Sequence, residues 1–145
     1  RTNNKEEIKM GLFGKKEKSV EEVQALDLAQ SFGIKKLGRF EKTHFIELLE
    51  NLHENEEVLE FGSGLIDDTA PVKAFLTNER LLLTHRSGNG YVQVTFIPFR
   101  SILRLSKDKM TLIIYLKGDS AQPITLKAFT SPKEFFDRLE DLIEY

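Results

Sequence analysis

From Glu57 onward, short apolar runs alternate with clusters of turn residues, the signature of a sheet built from tight antiparallel connections. Seven strands are expected, at residues 58–66, 72–76, 80–85, 91–97, 101–106, 110–117 and 124–129. Gly62 and Gly64 interrupt the first, where a bulge or bend is expected. Asp67-Asp-Thr-Ala-Pro71, Thr77-Asn-Glu79, Ser87-Gly-Asn-Gly90, Lys107-Asp-Lys109 and Gly118-Asp-Ser120 supply the turns. Asn89-Gly90 is a strong hairpin signal, and Asn78 suits a positive φ. Residues 91–97 alternate Tyr91, Gln93 and Thr95, expected wet, with Val92, Val94 and Phe96, expected dry; Pro98 ends the strand.

The chain then changes period. Ser131 caps a helix, Pro132 takes its first position and Glu134 completes a capping box. Phe135, Phe136, Leu139, Leu142 and Ile143 fall on one face, against Lys133, Asp137, Arg138, Glu140 and Asp141 on the other. Such a helix belongs in the open mouth of a curled sheet, where each phenylalanine can bury about 150–250 Å².

Upstream, two further helices are expected within residues 19–53. Ser19-Val-Glu-Glu22 is a capping box, and Val20, Val23, Leu26, Ala29 and Phe32 form a stripe that Gly33 stops. Residues 41–53 carry a second stripe of Phe45, Leu48, Leu49 and Leu52, with Glu41, Glu47 and Glu50 wet. Helices of this length are not stable alone in water, so both stripes need a partner surface. Residues 1–18 are expected to be a disordered tail. Met10-Gly-Leu-Phe-Gly resembles a bacterial start, and Lys5-Glu-Glu7 back-translates to a purine-rich ribosome-binding sequence, so residues 1–9 are expected to be translated upstream region. Residues 54–145 form the third segment, the sheet with its closing helix.

Composition narrows the function. The chain has 145 residues, 40% hydrophobic and 30% charged, enough for a single core without staples. Cysteine is absent, which removes disulfides, thiolate metal sites and cysteine nucleophiles. A net charge of −2 gives no overall steering toward nucleic acid, and the phenylalanines follow core spacing instead of lying among bases as a stacking platform. No apolar run spans a bilayer. The expected setting is cytoplasmic, with a peripheral place at the inner membrane face as the alternative.

Three local phrases carry a family likeness. Leu76-Thr-Asn-Glu-Arg-Leu-Leu-Leu83 is similar to the "TNxRL" hairpin of the bacterial pleckstrin-homology-like (PH-like) families. Phe96-Ile-Pro-Phe-Arg-Ser-Ile-Leu-Arg104 resembles their "IPxxxI" strand entry. His53-Glu-Asn-Glu-Glu-Val58 resembles their "xGExV" opening, with Asn55 where Gly is usual. The resemblance covers residues 54–145. It implies an α+β fold, a seven-stranded antiparallel half-barrel capped by the C-terminal helix, with the N-terminal helices as an extension. It also implies a bacterial or bacteriophage binding or assembly module that joins protein partners or copies of itself, as ring-forming homo-oligomers do, without enzymatic activity or cofactor. Asn78, Arg80, Pro98, Ser131, Pro132, Glu134, Phe135 and Phe136 are then fold residues: Asn78 makes a turn, Arg80 braces it and Pro98 ends a strand.

The residues that could meet a partner are few. Leu12 and Phe13 beside Lys15 and Lys16 form a basic-apolar tail that could graze an anionic membrane weakly. Arg100, Arg104, Lys107 and Lys109 form a dense basic segment, with Arg100, Arg104 and Ser106 expected on one strand face and the lysines in the next turn. A solvated edge that guards a strand against aggregation is the commoner use of such a cluster. The first hairpin loop offers Asp67 and Asp68 where a phosphoinositide site needs bases, and like charge repels a phosphate. His44, His53 and His85 show no convergent ligand spacing, and no catalytic or nucleotide-binding motif or small-molecule substrate site is evident.

Overall fold

A computed structural model describes residues 19–67, 70–86, 90–131 and 133–143, without the Lys133 side chain. The proposed membrane residues Leu12, Phe13, Lys15 and Lys16, the upstream segment 1–9, Pro132 and the turn residues Asp68, Thr69 and Ser87 to Asn89 lie outside the described residues. The chain divides into two compact units, residues 1–49 and 50–145.

In the first unit, α1 (Val20–Ser31) starts where the Glu22 amide donates to Ser19 Oγ at 3.2 Å. The Glu22 carboxylate does not complete the expected capping box; Lys42 Nζ holds it at 3.4 Å. The stop at Gly33 is as expected. Gly33 has φ +84°, its amide donates to Gln30 and the Ile34 amide to Ala29, which closes the last turn. The buried face of α1 differs from the expected stripe. Val20 and Val23 are exposed, while Ala25 and Ala29 are completely buried. The small side chains mark the close-packed side, and the valines face water. Phe45 and Leu48 of α2 (Arg39–Asn51) are buried, as their spacing predicts.

The second unit is a single seven-stranded antiparallel sheet: β1 (Val58–Ile66), β2 (Ala70–Thr77), β3 (Arg80–Arg86), β4 (Val92–Pro98), β5 (Ile102–Asp108), β6 (Thr111–Leu116) and β7 (Ile124–Thr130). A 3-10 turn, Phe99–Ser101, joins β4 to β5. The order β4-β3-β2-β1-β7-β6-β5 places β4 and β5 at opposite ends, so the sheet curls into a half-barrel with two terminal edges. α3 (Lys133–Leu142) closes it. Phe135, Leu139 and Ile143 join Val72, Leu81, Leu83, Ile97, Ile102, Leu112, Ile114, Leu126 and Phe129 in the core, with Phe136 and Leu142 packed at its margin. Arg138 Nε ties the helix to β1 at 3.3 Å from Glu60.

The opposite face of the sheet is also apolar. Register places Phe61 beside Phe75, Phe75 beside Leu82 and Leu82 beside Phe96, one row across four strands. Phe75 and Leu82 are completely buried. This corrects the reading of residues 91–97: Phe96 pairs with Leu82 on the outer face and is half exposed, whereas Ile97 pairs with Leu81 and is buried in the core. The rest of the alternation stands, with Tyr91, Gln93 and Thr95 exposed and Val92 and Val94 half-buried, so the correction is confined to Phe96.

The glycines of β1 serve a close approach. A Cβ on Gly62 would stand 2.5 Å from Phe129 Cζ, and one on Gly64 would stand 3.1 Å from the Lys127 carbonyl oxygen. Opposite them β7 carries an extra residue between Lys127 and Thr130, and Ala128 takes φ +49°. Phe129 packs edge-on against Phe135 at 5.3 Å and cannot retreat freely. Gly62→Ala is therefore expected to cost about 1–3 kcal/mol by overpacking. Urea unfolding measures it, and a Gly62→Ala chain as stable as the parent would contradict the packing.

Candidate functional site

Two places gather the informative side chains: a polar brace at the start of the sheet and the two terminal edges. The brace begins where α2 has ended. Residues 53–56 form a turn in which the Glu56 amide donates to the His53 carbonyl at 3.1 Å, and Asn55 has φ +66°. Its third position needs the left-handed region, which glycine or asparagine enters at least cost, so Asn55 serves where Gly is usual.

That turn aims the Glu56 side chain, wholly buried, at the β2–β3 hairpin. Arg80 grips it with two parallel bonds, Nε to Oε2 at 3.0 Å and Nη2 to Oε1 at 2.9 Å. The Thr77 hydroxyl donates to Oε2 at 2.7 Å and the His53 amide to Oε1 at 2.9 Å. Arg80 Nη2 also reaches the Asn51 carbonyl at 2.7 Å. Thr77 Oγ in turn accepts from the Glu79 and Arg80 amides. Asn78 is not in the left-handed region as expected. Its side chain fastens the turn instead, Oδ1 accepting from the Glu57 amide at 2.8 Å and Nδ2 donating to the Asn55 carbonyl at 3.3 Å. The "TNxRL" phrase is thus a lock between the entry segment and the first hairpin.

Burial pushes the Glu56 carboxyl up, but the Arg80 guanidinium, the His53 amide and the Thr77 hydroxyl outweigh it and hold it below its ordinary value. His53 Nδ1 lies 2.9 Å from Glu79 and 3.8 Å from Glu56, a grouping of metal-ligand type. Four donors already occupy the roughly four lone-pair directions of the Glu56 carboxylate, so the cluster is structural.

The brace also reaches an edge. The Arg80 guanidinium lies 4.7 Å from the centre of the Phe96 ring on β4. Among the described residues β4 pairs only with β3, and β5 only with β6. Pro98, which has no amide hydrogen, ends β4, as suits an edge strand. Large apolar groups are exposed along both ends: Tyr91 and Phe96 at β4, Leu103 and Met110 at β5.

The four bases proposed at β5 do not converge. Arg100 sits in the 3-10 turn. Arg104 lies opposite Tyr115, its guanidinium 3.7 Å from the ring centre. Lys107 belongs to β5, not to the turn, and pairs with the core residue Leu112; its Nζ stands 5.9 Å from the Phe136 ring. Lys109 is in the turn, at φ +53°. Arg104 and Lys107 thus occupy opposite faces of one strand. Their separation follows from the period of two, which divides odd from even positions. Glu56 stands in the His53 to Val58 phrase, beside Asn55 and just before the first strand, but nothing in that phrase marks it as the partner of Arg80.

Among the described residues no helix is long and apolar enough to cross a membrane. A family model described as "Bacterial PH domain" matches residues 52–143. Two solved structures are similar to this chain at low identity. A pleckstrin homology domain from Shewanella amazonensis SB2B is 18% identical, covering 66% of this chain and 88% of its own, with a TM-score of 0.45. A protein with a pleckstrin-homology domain from Shewanella loihica PV-4 is 16% identical, covering 80% of this chain and 90% of its own, with a TM-score of 0.46. No curated protein matches the chain.

Proposed function

The chain belongs to the bacterial PH domain family, and on that premise we propose that it is a non-enzymatic binding module acting through protein contacts, with a second copy of itself as partner. One observation carries this reading: a single sheet ends in two open strands, each flanked by exposed apolar side chains. An open edge offers a row of backbone donors and acceptors to another strand. Because β4 and β5 differ, pairing the first of one copy with the second of another is head-to-tail, a contact that closes into rings when the rotation permits. Backbone pairing supplies affinity, and Phe96 and Leu103 supply the apolar contact beside it.

Leu103 is half exposed on β5, so Leu103→Lys leaves the core intact and places a charge where the edges would meet. Size-exclusion chromatography with light scattering is expected to show a multiple of 16.7 kDa for the parent chain. The variant is expected to dissociate at least about tenfold more readily. A parent chain that stays monomeric at every concentration would refute the reading.

The other reading is weak attachment to anionic membrane by Leu12, Phe13, Lys15, Lys16 and the bases from Arg100 to Lys109. It has less support, because Arg104 and Lys107 face opposite sides. Co-sedimentation with anionic vesicles, weakening with salt, tests it.

A further inference from the structure

The helical unit holds a feature that neither the family match nor the strand edges involve. Residues 35–42, KKLGRFEK, set four cations against one carboxylate, upstream of the matched residues 52–143. Lys35, Lys36 and Leu37 from the α1–α2 loop, Glu22 and Leu26 from α1, and Lys42 from α2 line a hollow of about 330 Å³. That is the lower end of the range for ligand pockets. Three ammonium groups against one carboxylate leave its walls with a net charge of +2. Lys42 and Glu22 answer each other at 3.4 Å. Lys35 and Lys36 form no ion pair among the described residues, although they are adjacent and of like charge.

The loop is held at both ends. The Ile34 amide donates to Ala29 at 3.0 Å behind the Gly33 closure, and the Lys42 amide donates to Gly38 at 3.0 Å as α2 begins. The lysines are therefore carried on a fixed backbone beside a helix start, where the peptide dipoles add positive potential. Leu26 and Leu37, both half-buried, keep part of the wall apolar, which strengthens the field on anything bound there.

We propose that this hollow binds a phosphate-bearing anion, one phosphate or diphosphate group in size. Lysine ammonium groups recognise phosphate as point charges, and a group with two or more negative charges gains more here than a single carboxylate. Glu22 tempers the site: it holds Lys42 in place while repelling the anion.

The test is a titration of the full chain followed by amide resonances. One arm uses sodium pyrophosphate against sodium chloride of equal ionic strength; the other uses phosphatidylcholine vesicles with and without phosphatidic acid. Saturable changes are expected at Leu26, Lys35, Lys36 and Leu37. A response to pyrophosphate assigns a soluble phosphate compound, and a response to phosphatidic acid vesicles alone assigns a lipid headgroup. Lys35→Glu with Lys36→Glu is expected to weaken binding at least about tenfold, and Glu22→Gln to strengthen it about threefold. If the double reversal disturbs the helices, Lys35→Gln with Lys36→Gln is expected to weaken binding about threefold. No saturable change in either arm, changes that ignore the lysine substitutions, or weaker binding by Glu22→Gln would each overturn the proposal.

Discussion

Arg80→Ala is expected to destabilise the chain by about 3–5 kcal/mol, because it strands a buried carboxylate whose strongest partner is gone. Glu56 would keep the Thr77 hydroxyl and the His53 amide but lose both guanidinium bonds. The Asn51 carbonyl and the Phe96 ring would lose their contacts in the same step. A loss of this size lowers the melting temperature by about 10–20 °C. Arg80→Lys restores little, since an ammonium cannot offer the two parallel bonds. The acid dependence has a definite sign. Glu56 is depressed in the folded chain from an ordinary value of 4.5, so its contribution is complete above that pH. It is lost as the pH falls through the lower folded value. Urea unfolding from pH 7 down to pH 3 measures both effects, and Glu56→Gln is expected to flatten this part of the acid dependence. A parent and an Arg80→Ala chain of equal stability at pH 7 would mean the brace carries no load.

Phe135→Ala is expected to cost a similar amount, about 3–5 kcal/mol. Phe135 is completely buried at the closed mouth and meets Phe129 edge-on. Removing its ring leaves a cavity bounded by α3 and the Phe129 ring, which itself fills the space over Gly62. The neighbouring Phe136 lies at the margin, so Phe136→Ala is expected to cost much less, about 1 kcal/mol. Thermal unfolding of the two variants side by side separates them. Equal losses would mean that the helix does not enter the half-barrel by its Phe135 face.

The elements that announced themselves in the sequence are those with local signals. Strand ends, the Ser19 cap, the Gly33 stop and the Phe135, Leu139, Ile143 face follow from turn chemistry and periodicity, which need no knowledge of distant residues. Local pattern misleads where a second surface decides. Val20 and Val23 look like core and are wet, because the small Ala25 and Ala29 take the packed side of α1. Phe96 alternates with polar residues as a core residue would, yet it completes the outer row Phe61, Phe75, Leu82. The run Leu81-Leu-Leu83 held a hint of that row, since a strand covered on both faces reads as unbroken apolar sequence. Thr77, Asn78 and Arg80 were recognisable as a phrase, but the partner that explains them, Glu56, lies 24 residues from Arg80, beyond any local pattern. The lysines of residues 35–42 resemble an ordinary solvated linker until the two helices place them around one hollow.

The central proposal is that the two sheet edges meet a strand from another copy. Amide hydrogen exchange of the full chain, compared between dilute and concentrated solution, reads those edges directly. Protection is expected to rise with concentration in β4 and β5 while the amides of β1 and β2, inside the sheet, stay constant. Exchange at β4 and β5 that is the same at both concentrations would contradict the account.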